Sequence, residues 1–153
     1  HWKHRRQRQM CIRDRYREAL RIYRDQFQPS AQLDRPYAML TVPAVPADSD
    51  VEAQYLTTTS YQRILALFRG QPLWMKPPVQ SMDGLWNPQE EAGVKDFLGL
   101  QLLGTAASMQ GQLDQLLDSV EVDELMVTVD LYDPVKRRHA LDILAALEQF
   151  QAV

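Results

Sequence analysis

The segment Glu124-Leu125-Met126-Val127-Thr128-Val129-Asp130-Leu131 constrains the fold more than any other stretch of the chain. Leu125, Val127, Val129 and Leu131 alternate with Met126, Thr128 and Asp130, so an extended backbone carries an apolar row on one face and a mixed row on the other. Asp133-Pro134 follows at once, an acid able to cap free amides and then a proline suited to the first helical position. A strand running straight into a capped helix is the opening of a βα unit. Tyr37-Ala38-Met39-Leu40-Thr41-Val42 is apolar on both faces, as a strand of a covered parallel sheet is. Pro43 and Pro46 lack ladder donors and are expected to weaken pairing at its C-terminal end.

Helical patterns fill the rest. Tyr16, Ala19, Leu20, Tyr23 and Phe27 form one stripe, which Pro29 and Ser30 end. Ser49 with Glu52 is a capping-box pattern opening a helix that carries Ala53, Leu56, Ile64, Leu67 and Phe68, and Gly70 supplies its left-handed stop. Residues 71–86, with Trp74, Pro77, Pro78, Met82 and Trp86, have no period and read as an irregular excursion, either a lid or a contact surface. Asn87-Pro88 with Glu90 starts a further helix. Gly104-Thr105 is expected to open another, burying Met109, Leu113, Leu116 and Leu117, with Gly111 a local weakness. The last helix is expected to bury Leu141, Leu144 and Leu147. Alternating strands and helices imply βα units on a parallel sheet, yet two strands make a poor sheet alone. The body therefore reads as part of a larger α/β fold.

Charge separates one end from the remainder. Residues 1–24 hold nine of the 17 Lys and Arg against Asp14 and Glu18, so they carry +7 while the other residues carry −10. Gln9-Met10-Cys11-Ile12-Arg13-Asp14-Arg15 resembles the translation of a sequencing-library adapter. Residues 1–15 are accordingly read as a basic, non-native leader and residues 16–153 as the folded segment. A nucleic-acid arm is the weaker reading of the same charge. No apolar run reaches the ~18 residues of a membrane span, and the single Cys11 with three histidines offers no Cys/His zinc set.

No dinucleotide fingerprint, phosphate loop, zinc-protease helix or nucleophile elbow is present. Thr128 and Asp130 share a face near the C-terminal end of a strand, where βα barrels place working groups. They read either as pocket-lining residues or as a structural hydrogen bond or helix cap, and Thr41 on the other strand stands the same way. Gly104-Thr105 reads as an ordinary cap, with a phosphate site at the helix amides as the alternative. His139, beside Arg137 and Arg138, belongs to a solvated helix face. Glu121, Asp123 and Glu124, at the strand's entry, read as a solvated turn.

Several segments together resemble the C-terminal portion of bacterial luciferase-like, flavin-dependent monooxygenases. They are residues 19–30, Leu33-Asp34-Arg35-Pro36-Tyr37-Ala38-Met39-Leu40, Ala47-Asp48-Ser49-Asp50-Val51-Glu52-Ala53, Leu103-Gly104-Thr105, and Asp123-Glu124-Leu125-Met126-Val127-Thr128 with Tyr132-Asp133. The resemblance implies an α/β fold that is the C-terminal part of a (β/α)8 TIM barrel, with about two core strands and four to five helices. Residues 16–153 are too few to close such a barrel, which takes about 250. It also implies reduced FMN, or a deazaflavin in some branches, acting with O2 on a small organic substrate. A flavin reductase would supply the cofactor, and the full-length protein would be a cytoplasmic homo-oligomer without membrane or nucleic-acid partners. The segment alone is expected to be inactive and to bind FMN weakly or not at all. The helix after Thr105 lacks the family's early glutamate and Pro43 interrupts a strand that usually continues, so no catalytic or cofactor-binding residue carries over. Thr41, Thr128 and Asp130 remain the candidate pocket-lining residues, and no metal is implied. The alternative is a non-catalytic α/β module that completes a partner's barrel.

Overall fold

Every helix after the first opens where a side-chain oxygen meets its free amides, apart from a single terminal turn. In the computed structural model, which describes residues 12–151, the order is α1 (Ile12–Gln26), β1 (Met39–Pro46), α2 (Asp50–Phe68), α3 (Pro88–Phe97), β2 (Leu102–Gly104), α4 (Ala106–Ser119), β3 (Glu124–Thr128), α5 (Pro134–Ala145) and the one-turn α6 (Glu148–Gln151). Ser49, Asn87, Thr105 and Asp133 are the N-caps of α2, α3, α4 and α5. Asn87 and Glu90 complete a reciprocal capping box. At α2 only half of the box forms: Ser49 accepts from the Glu52 amide, while the Glu52 carboxylate pairs with Lys136. Gly70 takes φ +63° and closes α2 by a Schellman motif, Gly70 N–H to Leu67 O and Gln71 N–H to Ala66 O.

The sheet is parallel, in the order β2-β1-β3. The sequence expectation of two strands gains a third, because Leu102–Gly104 pairs with Ala44–Pro46; Gly104 ends this strand rather than opening the helix. Three residues are too short to show a period, so no sequence pattern marks it. Strand β3 stops at Thr128, three residues before the expected end. Strand β1 runs through both prolines: Pro43 stands at the last rung against β3 and Pro46 at the last rung against β2, where a missing donor disturbs no further pairing.

One face of the sheet is covered. Leu40, Val42 and Ala44 of β1, with Leu125 and Val127 of β3, pack on Met109, Leu113 and Leu116 of α4 and on Leu144 and Leu147. Burial of side chains this size contributes about 1.5–3 kcal/mol each. Ala140, not Leu141, faces inward from α5; Leu141 stands exposed one residue round the helix. The opposite face is open around Met39 and Met126, 45% and 48% exposed, and around exposed Thr41, but it closes toward the C-terminal end of β1, where Val45 is buried with Ala53 and Leu56 of α2, Leu131 and Ala140 of α5.

Two elements differ from their sequence reading. Helix α1 begins at Ile12, inside the segment set aside as a leader, whose residues 1–11 lie outside the described residues. Its stripe is not buried: Tyr16, Leu20 and Phe27 are half-covered, while Ala19 and Tyr23 are exposed. Tyr16 packs on the main core, and polar contacts hold the other end of the helix. Arg24 pairs with Asp123 at 2.8 Å and Glu121 at 3.3 Å, Asp123 also accepts from Ala38 N–H at 2.8 Å, and Tyr37 donates to Glu124 at 3.0 Å. The acidic turn is thus a latch between α1, β1 and β3, and not merely solvated.

Residues 71–86 carry no regular structure, as expected, yet they are tied down. The Thr57-Thr58-Thr59-Ser60 run of α2 is buried, an unusual place for hydroxyls. Thr58 accepts from Val79 N–H at 2.9 Å, Thr59 donates to Lys76 O at 2.9 Å, and Gln62 donates to Pro77 O at 2.9 Å. Beneath them Ile64, Leu65, Met82 and Val94 form a satellite core, with Trp86 against Tyr61.

Candidate functional site

In a parallel βα sheet the chemistry belongs at the C-terminal ends of the strands, on the face away from the helices. Thr41 and Thr128 lie on that open face. Thr41 pairs in register with Met126, and Thr128 with Pro43, two residues further along β1. Thr41 is exposed and Thr128 half-buried. Asp130, two residues past β3, ion-pairs with Arg63 of α2 at 2.8 Å. Asp130 is exposed, so this is a surface ion pair. Arg63 supplies the partner from 67 residues away, beyond what periodicity reveals. The sheet thus brings Thr41 and Thr128 together, and α2 reaches across to Asp130.

Gly104-Thr105 is a cap and not a phosphate cradle. Thr105 accepts from Ser108 N–H, and the amides are already served by an anion: Asp50 accepts from Thr105 N–H at 3.1 Å and from Ser108 Oγ at 3.0 Å. Gly104 takes φ +124°, and a methyl group there would overlap the Asp50 carboxylate.

Other charged groups line the same end. His139 meets Asp48 at 2.7 Å, so it is exposed but partnered. Lys136 pairs with Glu52, whose carboxylate raises the lysine pKa above its usual range. Together these pairs fasten α5 to the start of α2. Arg137 turns back to donate through Nε and Nη2 to the Leu131 carbonyl and lies 3.8 Å from Met75 Sδ. The sequence offered no signal for Arg63 or Arg137, whose partners are set by packing alone.

A groove of about 550 Å³ lies elsewhere, between α2, α3 and residues 80–86, with Tyr55, Tyr61, Trp86 and Lys95 among its walls. Neither threonine nor Asp130 lines it. Among the described residues no three His, Cys, Asp or Glu side chains gather as a metal site would require, and no helix is long and apolar enough to cross a membrane.

No family model matches the chain. Individual relatives do. YvbT of Bacillus subtilis (strain 168) is 39% identical over 127 residues, 83% of this chain and 38% of that protein. A luciferase-like monooxygenase of Escherichia coli (strain K12) is 36% identical over 126 residues, 82% of this chain and 38% of its own length. Among solved structures, apo-MsnO8 superposes with a TM-score of 0.67 at 23% identity, over 90% of this chain and 41% of that one. The chain therefore spans well under half the length of the curated relatives it matches. Over that shared stretch the chain is similar in sequence to a luciferase-like monooxygenase, and it has the fold of the matching part of apo-MsnO8.

Proposed function

We propose that residues 16–153 form the closing βα units of a flavin-dependent monooxygenase barrel, in which residues 71–86 are an insertion. Thr41, Thr128 and Asp130 line the cavity where reduced FMN and O2 oxidise a small organic substrate. The observation that carries this reading is the two-sidedness of the sheet. Helices α4 and α5 cover one face, while Met39, Thr41 and Met126 stand exposed on the other. In a βα barrel the face away from the helices is the interior.

The described helix N-termini do not fit a flavin phosphate. Each of α2 to α5 is capped by the chain's own oxygen atoms, and Asp50 fills the anion position at α4. The chain contributes a wall here and not a phosphate clamp at a helix start. The flavin, when bound, supplies the oxygen chemistry, with a separate reductase providing its reduced form. Met39 and Met126 offer apolar surface that excludes water, and the two threonines offer hydroxyls. Asp130 is held by Arg63.

The test is a chimera in which residues 16–153 replace the matching part of the Escherichia coli relative, titrated with FMN and with a deazaflavin. The chimera is expected to bind one of them saturably, and the isolated chain neither. Thr41→Trp, which fills the open face, should weaken cofactor or substrate binding about tenfold or more with thermal melting unchanged. Binding and turnover unaltered by both Thr41→Trp and Thr128→Trp would exclude this reading.

A further inference from the structure

We propose that Arg63, Lys76 and Arg137 form an oxyanion subsite around residues 130–131, just past the C-terminal end of β3. This deepens the cavity reading above and rests on it for the ligand's role.

The reasoning begins with what each cation touches. Arg24, Arg69, Lys95 and Lys136 all end on carboxylates. Arg137 is fixed as firmly, but on neutral acceptors: the Leu131 carbonyl takes two of its N–H groups, and its other neighbour is the Met75 thioether. It is oriented without being neutralised, and its Nη1 hydrogens have no partner among the described residues. Lys76 makes no ion pair among the described residues either, although its backbone is held by the Thr59 hydroxyl at 2.9 Å. Thr59 lies one helical turn before Arg63, on the same side of α2. Arg63 in turn reaches Asp130 at 2.8 Å.

Two independent ties join the segments that carry the three cations. The Met75 contact joins Arg137 to the 75–76 segment, and the Thr59 bond joins that segment to the Arg63 side of α2. Among the described residues only Arg63 of the three is paired with a carboxylate, Asp130, within a body that is otherwise acidic: residues 25–153 carry −10. Forked guanidinium donors with a lysine point charge match the oxygens of a carboxylate, sulfonate or phosphate. The shared chemistry is an oxyanion, and its source is either the substrate or the flavin phosphate.

The test uses the 153-residue chain and inorganic sulfate, exchanged for chloride at constant ionic strength while the arginine Nε–H resonances are followed. Arg137 and Arg63 should shift saturably with sulfate and not with chloride. Arg137→Gln and Lys76→Gln should each weaken sulfate about tenfold, and Asp130→Asn should tighten it. Arg138→Gln, the neighbouring cation on α5, should leave it unchanged. Lys76 lies outside the helices, so its variant carries the test if Arg137→Gln disturbs α5. In the flavin-binding chimera, competition by FMN but not riboflavin assigns the site to the flavin phosphate; competition by neither assigns it to the substrate. Absence of a saturable shift, or equal weakening by Arg138→Gln, overturns the proposal. If sulfate binds while Thr41→Trp and Thr128→Trp leave the chimera untouched, the subsite stands and the cavity reading falls.

Discussion

Two glycines of α4 and its approach show how the same residue type has opposite consequences a few positions apart. Gly104 sits at φ +124° with Asp50 and Ser108 pressed against it, so both conformation and space forbid a side chain. Gly104→Ala should cost about 1–3 kcal/mol, visible as a lower urea midpoint at unchanged slope. Gly111 lies within α4 with nothing near where a Cβ would go. Gly111→Ala should therefore stabilise by about 0.5–1 kcal/mol and raise the melting temperature. The weakness of Gly111 is evident from helix propensity alone. The need for Gly104 is not, because Asp50 is far away in the chain and only the fold places it there.

At the scale of elements, β2 survives as a sheet edge because a side chain stands in for the next strand. Gln112 of α4 accepts from Leu103 N–H at 3.0 Å and donates to Leu103 O at 2.7 Å. Gln112→Leu leaves both backbone groups without a partner and should destabilise by about 1–3 kcal/mol, with faster amide exchange at Leu103 as the local sign. The α2–α3 contact has a pH signature. Arg69 binds Glu90 at 2.8 and 2.9 Å, and together with the Asn87 amide it lowers the Glu90 pKa to about 2 from 4.5. A depressed carboxylate stabilises the fold above its unfolded pKa and loses that effect as it protonates. The stability difference between the parent chain and Glu90→Gln should be full above about pH 4.5 and shrink toward pH 2. Equal pH profiles for the two proteins would show that the pair contributes nothing. Most of this helix was legible beforehand, since Asn87, Pro88 and Glu90 are neighbours. Its clasp to Arg69 was not.

For the whole molecule, the two faces of the sheet set the behaviour of the chain. A covered face of Leu40, Val42 and Ala44 holds the fold, while Tyr37, Met39 and Met126 are presented to solvent. The chain should bind a hydrophobic dye such as ANS under native conditions, and Met126→Lys should reduce that binding without lowering stability. Dye binding insensitive to Met126→Lys would mean that the exposed apolar surface lies elsewhere.

What the sequence determined by itself is what the chain decides within about one helical turn. The caps at Ser49, Asn87 and Asp133, the stop at Gly70 and the period of each helix depend on neighbours five or fewer residues away. The βα order, and with it the fold class, follows from those local signals. Tertiary structure decided whatever is made between distant residues: the third strand, the early end of β3, the Asp123 latch, the Asp50 plug and the Arg63–Asp130 pair. A three-residue strand has no period of its own and exists only through its partner. An ion pair across 67 residues leaves no mark in either local sequence. Thr41, Thr128 and Asp130 were chosen by strand parity, which is local; the Arg63 partner of Asp130 became visible only once α2 had packed.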